Sequence, residues 1–136
     1  MKEQCRVTKE ELEHLSAFRH ALRRFLRFSE DACRDEGVSM LQYQLMLHTQ
    51  GTPGREWASI GELAERLQAQ PHGVVALVHR CEASALVRRV GNEQDRRLVE
   101  VHLTAAGRRV LEKLARTHRG ELHHLAEVAE LAGEGA

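Results

Sequence analysis

The sequence predicts a mainly α-helical (α+β) chain in which a single β-hairpin interrupts the helices. Apolar residues recur every three to four positions along most of the 136 residues, which is the period of an amphipathic helix. Within residues 87–103 the period falls to two, which is the period of a strand with one buried face. Because single cores typically contain ~100 to 200 residues, we expect one domain that comprises residues 1–136.

The first predicted helix begins at a capping box, in which a Ser or Thr and the Glu or Gln three positions later bond each other's backbone N–H groups. Thr8 and Glu11 form this pattern, and the helix is expected to end near Gly37. Its apolar stripe consists of Leu12, Leu15, Phe18, Leu22, Phe25, Leu26, Ala32 and Cys33.

Two more capping boxes, Ser39 with Gln42 and Ser59 with Glu62, begin shorter helices. The residues expected to point inward from these helices are Leu41, Leu45 and Met46 in the first, and Ile60, Leu63, Ala64 and Leu67 in the second. Pro71 begins a fourth helix, because its missing N–H costs nothing at the first helical position.

The hairpin follows at Val87–Val90, with a polar tip at 91–96 and a second strand through Val99, Val101 and Leu103. Thr104 then caps a final helical region, in which Gly120 is expected to mark a break. Two short helices followed by a hairpin make a winged helix-turn-helix, here residues 39–104. Helical segments 8–37 and 105–132 flank it.

The helix that begins at Pro71 carries the first candidate DNA-binding surface. On a helical wheel Val74, Leu77, Val78 and Cys81 share one side, which we expect to anchor the helix. The opposite side fits a DNA major groove, and the N–H groups near Gln70 suit a phosphate. The predicted contact residues are Gln70, His72, Gly73, Ala76, His79 and Arg80. For this helix alone, a surface helix with incidental histidines is an equal alternative.

The hairpin carries the second candidate surface. Arg88, Arg89, Arg96 and Arg97 lie within ten residues, and an arginine at the tip can enter a narrow minor groove. Asp95 lies two residues before Arg97, close enough for a charge-assisted contact with its guanidinium. The predicted wing contacts are Arg88, Asp95, Arg96 and Arg97. A solvated charged turn is the alternative.

These segments together resemble the MarR family of transcription regulators. The resemblance lies in residues 60–67, 74–82 and 85–89, and in the D-x-R wing at 95–97 followed by V-x-L-T-x-x-G at 101–107. It implies a recognition helix that begins near Gln70, a wing contact by Asp95 and Arg97, and a dimer formed by the N- and C-terminal helices. Ala85 stands where glycine usually closes the recognition helix in this family.

A homodimer is also expected from the apolar stripes of the flanking segments. The 66 residues of the predicted winged helix-turn-helix, 39–104, cannot cover them, and monomers seldom expose such large apolar patches. If the flanking helices of two copies interdigitate, the stripes are buried, and each Å² of apolar surface removed from water stabilises the dimer by ~25 cal/mol. A two-fold pair of reading helices then matches a pseudo-palindromic site in double-stranded DNA.

Three kinds of sensor site come into question: an effector cavity, a metal site and a reactive thiol. The resemblance suggests a cavity for a small-molecule effector, lined by residues such as Phe18, Leu22 and Tyr43. Histidines 118, 123 and 124 lack a metal-ligand spacing and are interpreted as solvated surface residues, so no metal or cofactor is predicted. Cys33 and Cys81 fall on apolar faces, which leaves Cys5 as the only plausible reactive thiol.

The predicted function is DNA-binding transcription regulation, with repression favoured over activation. Two alternatives stay open: a winged-helix protein-interaction module without DNA binding, and a metal- or redox-sensing regulator. The balance of 20 basic and 20 acidic residues slightly favours the interaction module. The hypothesis with the least support is an enzyme, because the sequence carries neither a phosphate-binding glycine loop nor a nucleophile motif. The sequence also shows no membrane span and no signal-peptide core, so a cytoplasmic protein is expected.

Overall fold

The computed structural model describes residues 6–134 of the chain. The elements follow in the order α1 (Lys9–Asp35), α2 (Met40–Gln50), β1 (Trp57–Ser59), α3 (Ile60–Leu67), α4 (Pro71–Ala83), β2 (Val87–Gly91), β3 (Val99–Leu103) and α5 (Ala105–Glu134). Strand β3 lies between β1 and β2 and is antiparallel to both. The predicted mainly α-helical class with a β-hairpin is confirmed.

The chain divides into two compact units. We call Cys33–Arg116 the winged unit, because it holds α2, α3, α4 and the sheet. We call the remainder, the chain up to Ala32 together with the chain from Thr117 onward, the helical unit. These divisions lie within α1 and α5, whereas the predicted boundaries of the DNA-binding region lay near residues 39 and 104.

The three predicted capping boxes are present. The Thr8 hydroxyl oxygen accepts from the N–H of Glu11, whose carboxylate accepts from the N–H of Thr8. Ser39 begins α2 and Ser59 begins α3 in the same reciprocal way, with Gln42 and Glu62 as their partners. A cap is a contact between residues three positions apart, so these helix starts follow from local sequence alone.

The core of the winged unit lies between its helices and one face of the sheet. α2 packs against α3, α4, β1 and β3, and α4 packs against β2. The fully buried apolar side chains are Cys33, Leu45, Met46, Ala58, Leu63, Val78, Cys81 and Val101. Burying a side chain the size of leucine stabilises the fold by about 1.5–3 kcal/mol, so this set holds the helices of the winged unit against its sheet.

A compact junction joins the hairpin to the start of α5. The Thr104 N–H donates to the Leu86 carbonyl oxygen at 3.0 Å, and the Thr104 hydroxyl lies 2.6 Å from the Ala85 carbonyl oxygen. The same hydroxyl oxygen accepts from the N–H of Gly107 at 3.0 Å, which caps α5. The junction gives a physical reason for the T-x-x-G segment: threonine serves both as a strand contact and as a helix cap.

The structure differs from the sequence prediction in four places. Strand β1 was not predicted, because three residues are too few to display a period. Leu41 was expected to point inward, but its side chain is exposed. The break expected at Gly120 is absent from the described chain, since α5 continues through it.

The fourth difference concerns His118, which is not a solvated surface residue. It is 1% exposed within the helical unit, and its Nε2 lies 2.9 Å from the Ser29 hydroxyl oxygen. The rings of Phe25 and Phe28 meet it edge-on, at centroid distances of 5.9 and 5.6 Å. His118 is therefore a core residue with a polar partner.

Candidate nucleic-acid interface

Helix α4 is divided into a buried face and an exposed face. Val74, Leu77, Val78 and Cys81 are buried in the winged unit, as the helical wheel predicted. The residues on the opposite side are open to solvent: His72, Gly73, Ala76, His79 and Arg80. The helix is thus fixed to its unit by one face, while the other face is exposed to solvent.

The turn between α3 and α4 sets where α4 begins. Gln68 ends α3 in the left-handed conformation, with φ of +51°, and the Ala69 N–H donates back to the Ala64 carbonyl oxygen at 3.0 Å. Gln70 then precedes Pro71 as the N-cap residue, and its side chain makes no capping hydrogen bond. The Gln70 side chain therefore does not occupy the N–H groups in the first turn of α4.

The end of α4 leads directly into β2. The Leu86 N–H donates to the Cys81 carbonyl oxygen at 2.9 Å, and the Ala85 N–H donates to that of Glu82 at 3.0 Å. Ala85 adopts φ of +59°, a left-handed conformation that glycine tolerates and alanine does not favour. The backbone at this position thus favours glycine, the residue that the family resemblance implies here.

An ion pair fixes the base of the hairpin to α4. Arg89 Nη2 lies 3.1 Å from a carboxylate oxygen of Glu82, and the Arg89 N–H donates to the other oxygen at 3.2 Å. The same guanidinium lies 3.4–3.5 Å from the His79 ring nitrogens. The hydrogen bond from the Arg89 side chain lowers the pKa of Glu82. Arg89 therefore orients β2 against α4, and its partner Glu82 was missed in the sequence.

The wing tip is a tight turn held by side chains. The Asn92 amide oxygen accepts from the N–H groups of Gln94 at 3.0 Å and Asp95 at 2.8 Å. An oxygen of Asp95 accepts from the N–H of Arg97 at 3.0 Å and from its Nε at 3.3 Å. The expected contact between Asp95 and Arg97 is therefore present. The Arg97 side chain is 92% exposed, so it is ordered at its base and open to solvent.

The other predicted wing contacts, Arg88 and Arg96, are also exposed. Arg88 lies on β2 opposite His102 of β3, whereas Arg96 lies in the loop between the two strands. All the predicted DNA-binding residues thus belong to the winged unit, on α4, on the residue that precedes it, or on the hairpin. Their role in DNA binding stays a prediction.

The thiols within the described chain are buried. Cys33 and Cys81 are inaccessible in the winged unit, and burial raises the pKa of the Cys81 thiol to about 11. A reactive thiol needs the opposite environment. Cys5 lies outside the described residues. Within residues 6–134, no three His, Cys, Asp or Glu side chains gather in a way that could hold a metal ion.

The residues suggested as effector contacts belong to different units. Tyr43 is buried in the winged unit, where burial raises the pKa of its hydroxyl, whereas Phe18 and Leu22 are half-buried in the helical unit. The helical unit also holds a groove of about 220 Å³. Its lining consists of Ala17, His20, Ala21, Arg24, Phe25, Glu121, His124, Leu125 and Val128. The effector site stays a prediction.

The winged unit places two short helices, a turn and an antiparallel hairpin in succession, which is the arrangement of a winged helix. Residues 36–98 match the sequence model of the MarR family. This is the MarR fold. The resemblance to the MarR family predicted from the wing and its flanking segments is thereby confirmed.

Solved structures with the MarR fold superpose on most of the chain. AbsC, a MarR family transcriptional regulator from Streptomyces coelicolor, has a TM-score of 0.74 and 22% identity over 88% of this chain and 80% of its own. A mutant MarR from E. coli complexed with operator DNA has a TM-score of 0.67 and 16% identity, covering 80% of this chain and 76% of its own.

A third similar structure is BpsR from Bordetella bronchiseptica, whose DNA binding is regulated by 6-hydroxynicotinic acid. It has a TM-score of 0.64 and 19% identity, covering 79% of this chain and 74% of its own. At these identities the likeness establishes the MarR fold. No curated protein sequence matches the chain. Within residues 6–134, none of the helices combines the length and apolarity that crossing a bilayer requires.

Proposed function

We propose that this chain is a non-enzymatic transcription regulator that binds duplex DNA as a homodimer, through α4 and the wing. The observation that carries the proposal is that two exposed elements, α4 and the wing tip, lie on one compact unit. Helix α4 offers an exposed face that includes His72, His79 and Arg80, and the wing offers Arg97 held by Asp95. A helix for the major groove and an arginine for the minor groove are the two contacts of a winged helix on DNA.

The reading face of α4 favours a mixed mode of recognition. His79 and Arg80 can donate hydrogen bonds to base edges or phosphates, whereas Gly73 and Ala76 allow close approach without offering polar side-chain groups. DNA shape and deformability then carry part of the sequence preference. The N–H groups of the first turn of α4 are suited to a phosphate, because the helix dipole makes that end electropositive.

The dimer is supported by apolar side chains that the helical unit leaves in solvent. Leu12, Leu15 and Leu26 on α1 and Leu122 and Leu131 on α5 are each more than 40% exposed. Leucines in such number on one small unit are costly in water, and a second copy of the same unit can cover them. Two-fold symmetry then places the half-sites of a pseudo-palindromic operator roughly one helical turn apart.

Regulation by a small-molecule effector completes the proposal. The effector would change the distance between the two winged units of the dimer and so lower the affinity for DNA. We propose that the protein is a repressor in the cytoplasm, which such an effector releases from its operator. The comparison with BpsR supports this idea, because 6-hydroxynicotinic acid regulates DNA binding by that protein.

The decisive experiment is selection of bound duplexes from a random pool by the purified chain, repeated at two salt concentrations. We expect an inverted repeat to be enriched, with affinity that falls steeply with salt because several phosphates are neutralised. Arg97→Ala should weaken binding by about 1–3 kcal/mol. Arg119→Ala, which removes the same charge from an exposed site on α5, is the matched control and should leave the affinity nearly unchanged.

A protein-interaction module without DNA binding is the second candidate. The formal net charge of zero and the non-polar Gly73 and Ala76 on the exposed face of α4 favour it. This candidate predicts no enrichment of any duplex and weak binding that Arg97→Ala leaves unchanged. The same selection experiment therefore decides between the two.

A further inference from the structure

A continuous run of side-chain contacts leads from the start of α3 to the wing tip. Glu62 pairs with Arg55, and the Arg55 guanidinium carbon lies 3.9 Å from the centroid of the Trp57 ring. The Trp57 ring stacks on His102, with centroids 6.3 Å apart and planes at 27°. His102 and Asn92 both bind Glu100. We call these residues the wing network: Arg55, Trp57, Glu62, Asn92, Glu100 and His102.

Glu100 is the member that joins the sheet to the wing tip. One of its carboxylate oxygens lies 2.8 Å from His102 Nε2, and the other accepts from Asn92 Nδ2 at 2.7 Å. The side chains of Glu100 and His102 are only 15% and 23% exposed, so water competes little for these bonds. The hydrogen bond from His102 lowers the pKa of Glu100, consistent with a carboxylate that stays ionised.

The strand register explains how the network forms. His102 lies opposite Trp57 on β1 and opposite Arg88 on β2, and Glu100 is two residues before it on β3. Side chains two apart on a strand share a face, here the face opposite to the buried Val101 and Leu103. The network therefore lies on the outer face of the sheet, while the core holds the inner face.

Asn92 links its contact with Glu100 to the conformation of the wing tip. Its amide nitrogen is engaged by Glu100, which leaves its oxygen facing the N–H groups of Gln94 and Asp95. If the amide rotated, its NH₂ group would oppose those N–H donors. Asp95, once placed by this turn, accepts from Arg97. The direction of the Arg97 side chain thus depends on Glu100 through two intervening residues.

We propose that Glu100 and His102 are positioning residues, which fix the turn of the wing tip and thereby direct Arg97 toward DNA. The consequence for DNA rests on the proposed function, whereas the consequence for the wing tip does not. Neither residue is proposed to contact DNA.

The first test uses the free protein and needs no DNA. Amide hydrogen exchange is measured by NMR at Gln94 and Asp95, the two N–H groups that bind Asn92. Glu100→Ala should accelerate exchange at both by about tenfold, the effect of losing one hydrogen bond to a charged group. Glu93→Ala, which removes the other glutamate of the hairpin, is the matched control and should leave the rate at Asp95, which does not adjoin position 93, unchanged. Equal rates in the two variants would overturn the proposal.

The second test measures DNA affinity, which Glu100→Ala should lower and Glu93→Ala should not. Removing a carboxylate beside DNA relieves repulsion, so Glu93→Ala should bind as well as the parent or tighter. Glu100→Ala should bind about tenfold more weakly, because Arg97 loses its orientation. In an Arg97→Ala background the effect of Glu100→Ala should shrink below about twofold, since coupled residues are not additive. An undiminished effect in that background would contradict the proposed path.

Variants of His102 keep the proposal testable if Glu100→Ala folds poorly. His102→Gln retains an N–H donor for Glu100 and should preserve the exchange rates and the affinity, whereas His102→Ala should reproduce the Glu100→Ala effects. Equal behaviour of these two variants would contradict a role for the hydrogen bond. If the parent binds no duplex, the proposed function fails, and the exchange rates still decide whether the network positions the wing.

Discussion

A Cβ atom at Gly107 would lie 2.0 Å from the carbonyl oxygen of Leu86. That oxygen already accepts the N–H of Thr104, so it is held in place by the junction between the hairpin and α5. The clash is with backbone, which cannot rotate away as a side chain could. Gly107 is therefore required for space, in the first turn of a helix where alanine would otherwise be favoured.

Gly107→Ala should lower the free energy of unfolding by about 3 kcal/mol, the upper end of what overpacking a core costs. Urea unfolding followed by circular dichroism measures it. Gly120→Ala on the same helix is the control with the opposite sign: a Cβ there meets nothing within 4 Å, and we expect a gain of about 0.5–1 kcal/mol. Two variants of equal stability would refute this account of the junction.

Ala85→Gly should stabilise the chain by about 1 kcal/mol, because the left-handed backbone at this position strains alanine and suits glycine. The same substitution at Ala76, in the middle of α4, should cost about 1 kcal/mol. Both changes are read from urea midpoints. A loss of stability at position 85 would mean that the left-handed conformation is not the one populated in solution.

Stability should fall as the pH drops below about 4.5. The hydrogen bond from Arg89 holds the pKa of Glu82 below the ordinary value of 4.5. A carboxyl whose folded-state pKa is lowered stabilises the fold above its unfolded-state pKa, and that contribution is lost as the pH falls through the folded-state value.

Glu82→Gln should therefore narrow the difference between the urea midpoints at pH 7 and pH 3.5. The matched control is Glu112→Gln, at an exposed position on α5. If Glu82→Gln retained the full pH dependence of the parent, the ion pair with Arg89 would not contribute to it.

The buried thiols should be unreactive in the folded chain. In a Cys5→Ser variant the remaining thiols are Cys33 and Cys81. A pKa of about 11, raised from 9.0, leaves Cys81 with about a hundredfold less thiolate at pH 8, and burial adds a steric barrier. A disulfide reagent should therefore label this variant at least about a hundredfold more slowly when folded than in denaturant. Rapid labelling of the folded chain would contradict this prediction and would favour the alternative of a redox-sensing regulator.

The features predicted well from sequence are those whose causes are local. Capping boxes, the proline that begins α4 and the division of α4 into two faces all depend on residues within one or two turns. The contact between Asp95 and Arg97 was found for the same reason, because only one residue separates them. Periodicity alone predicts the type of each element but is compatible with several folds. The wing motif selected one of them, the winged helix.

The features that were missed depend on distant partners. His118 is buried beside Ser29, 89 positions away in the chain, although its spacing from Leu114 and Leu125 places it on the apolar stripe of α5, a local signal that the exposed His123 lacks. Trp57 meets His102 only because β1 pairs with β3. The break expected at Gly120 was wrong because a penalty of about 1 kcal/mol for one glycine is small within a helix of 30 residues.

The fixed base of Arg97 has a thermodynamic consequence for association. Immobilising a long, flexible side chain on binding costs up to ~2 kcal/mol of conformational entropy. Here Asp95 restrains both the backbone N–H and the Nε of Arg97 before any partner arrives. The free chain has thus already given up part of that freedom, and the wing can enter a groove with a smaller entropic penalty than an unrestrained arginine would incur.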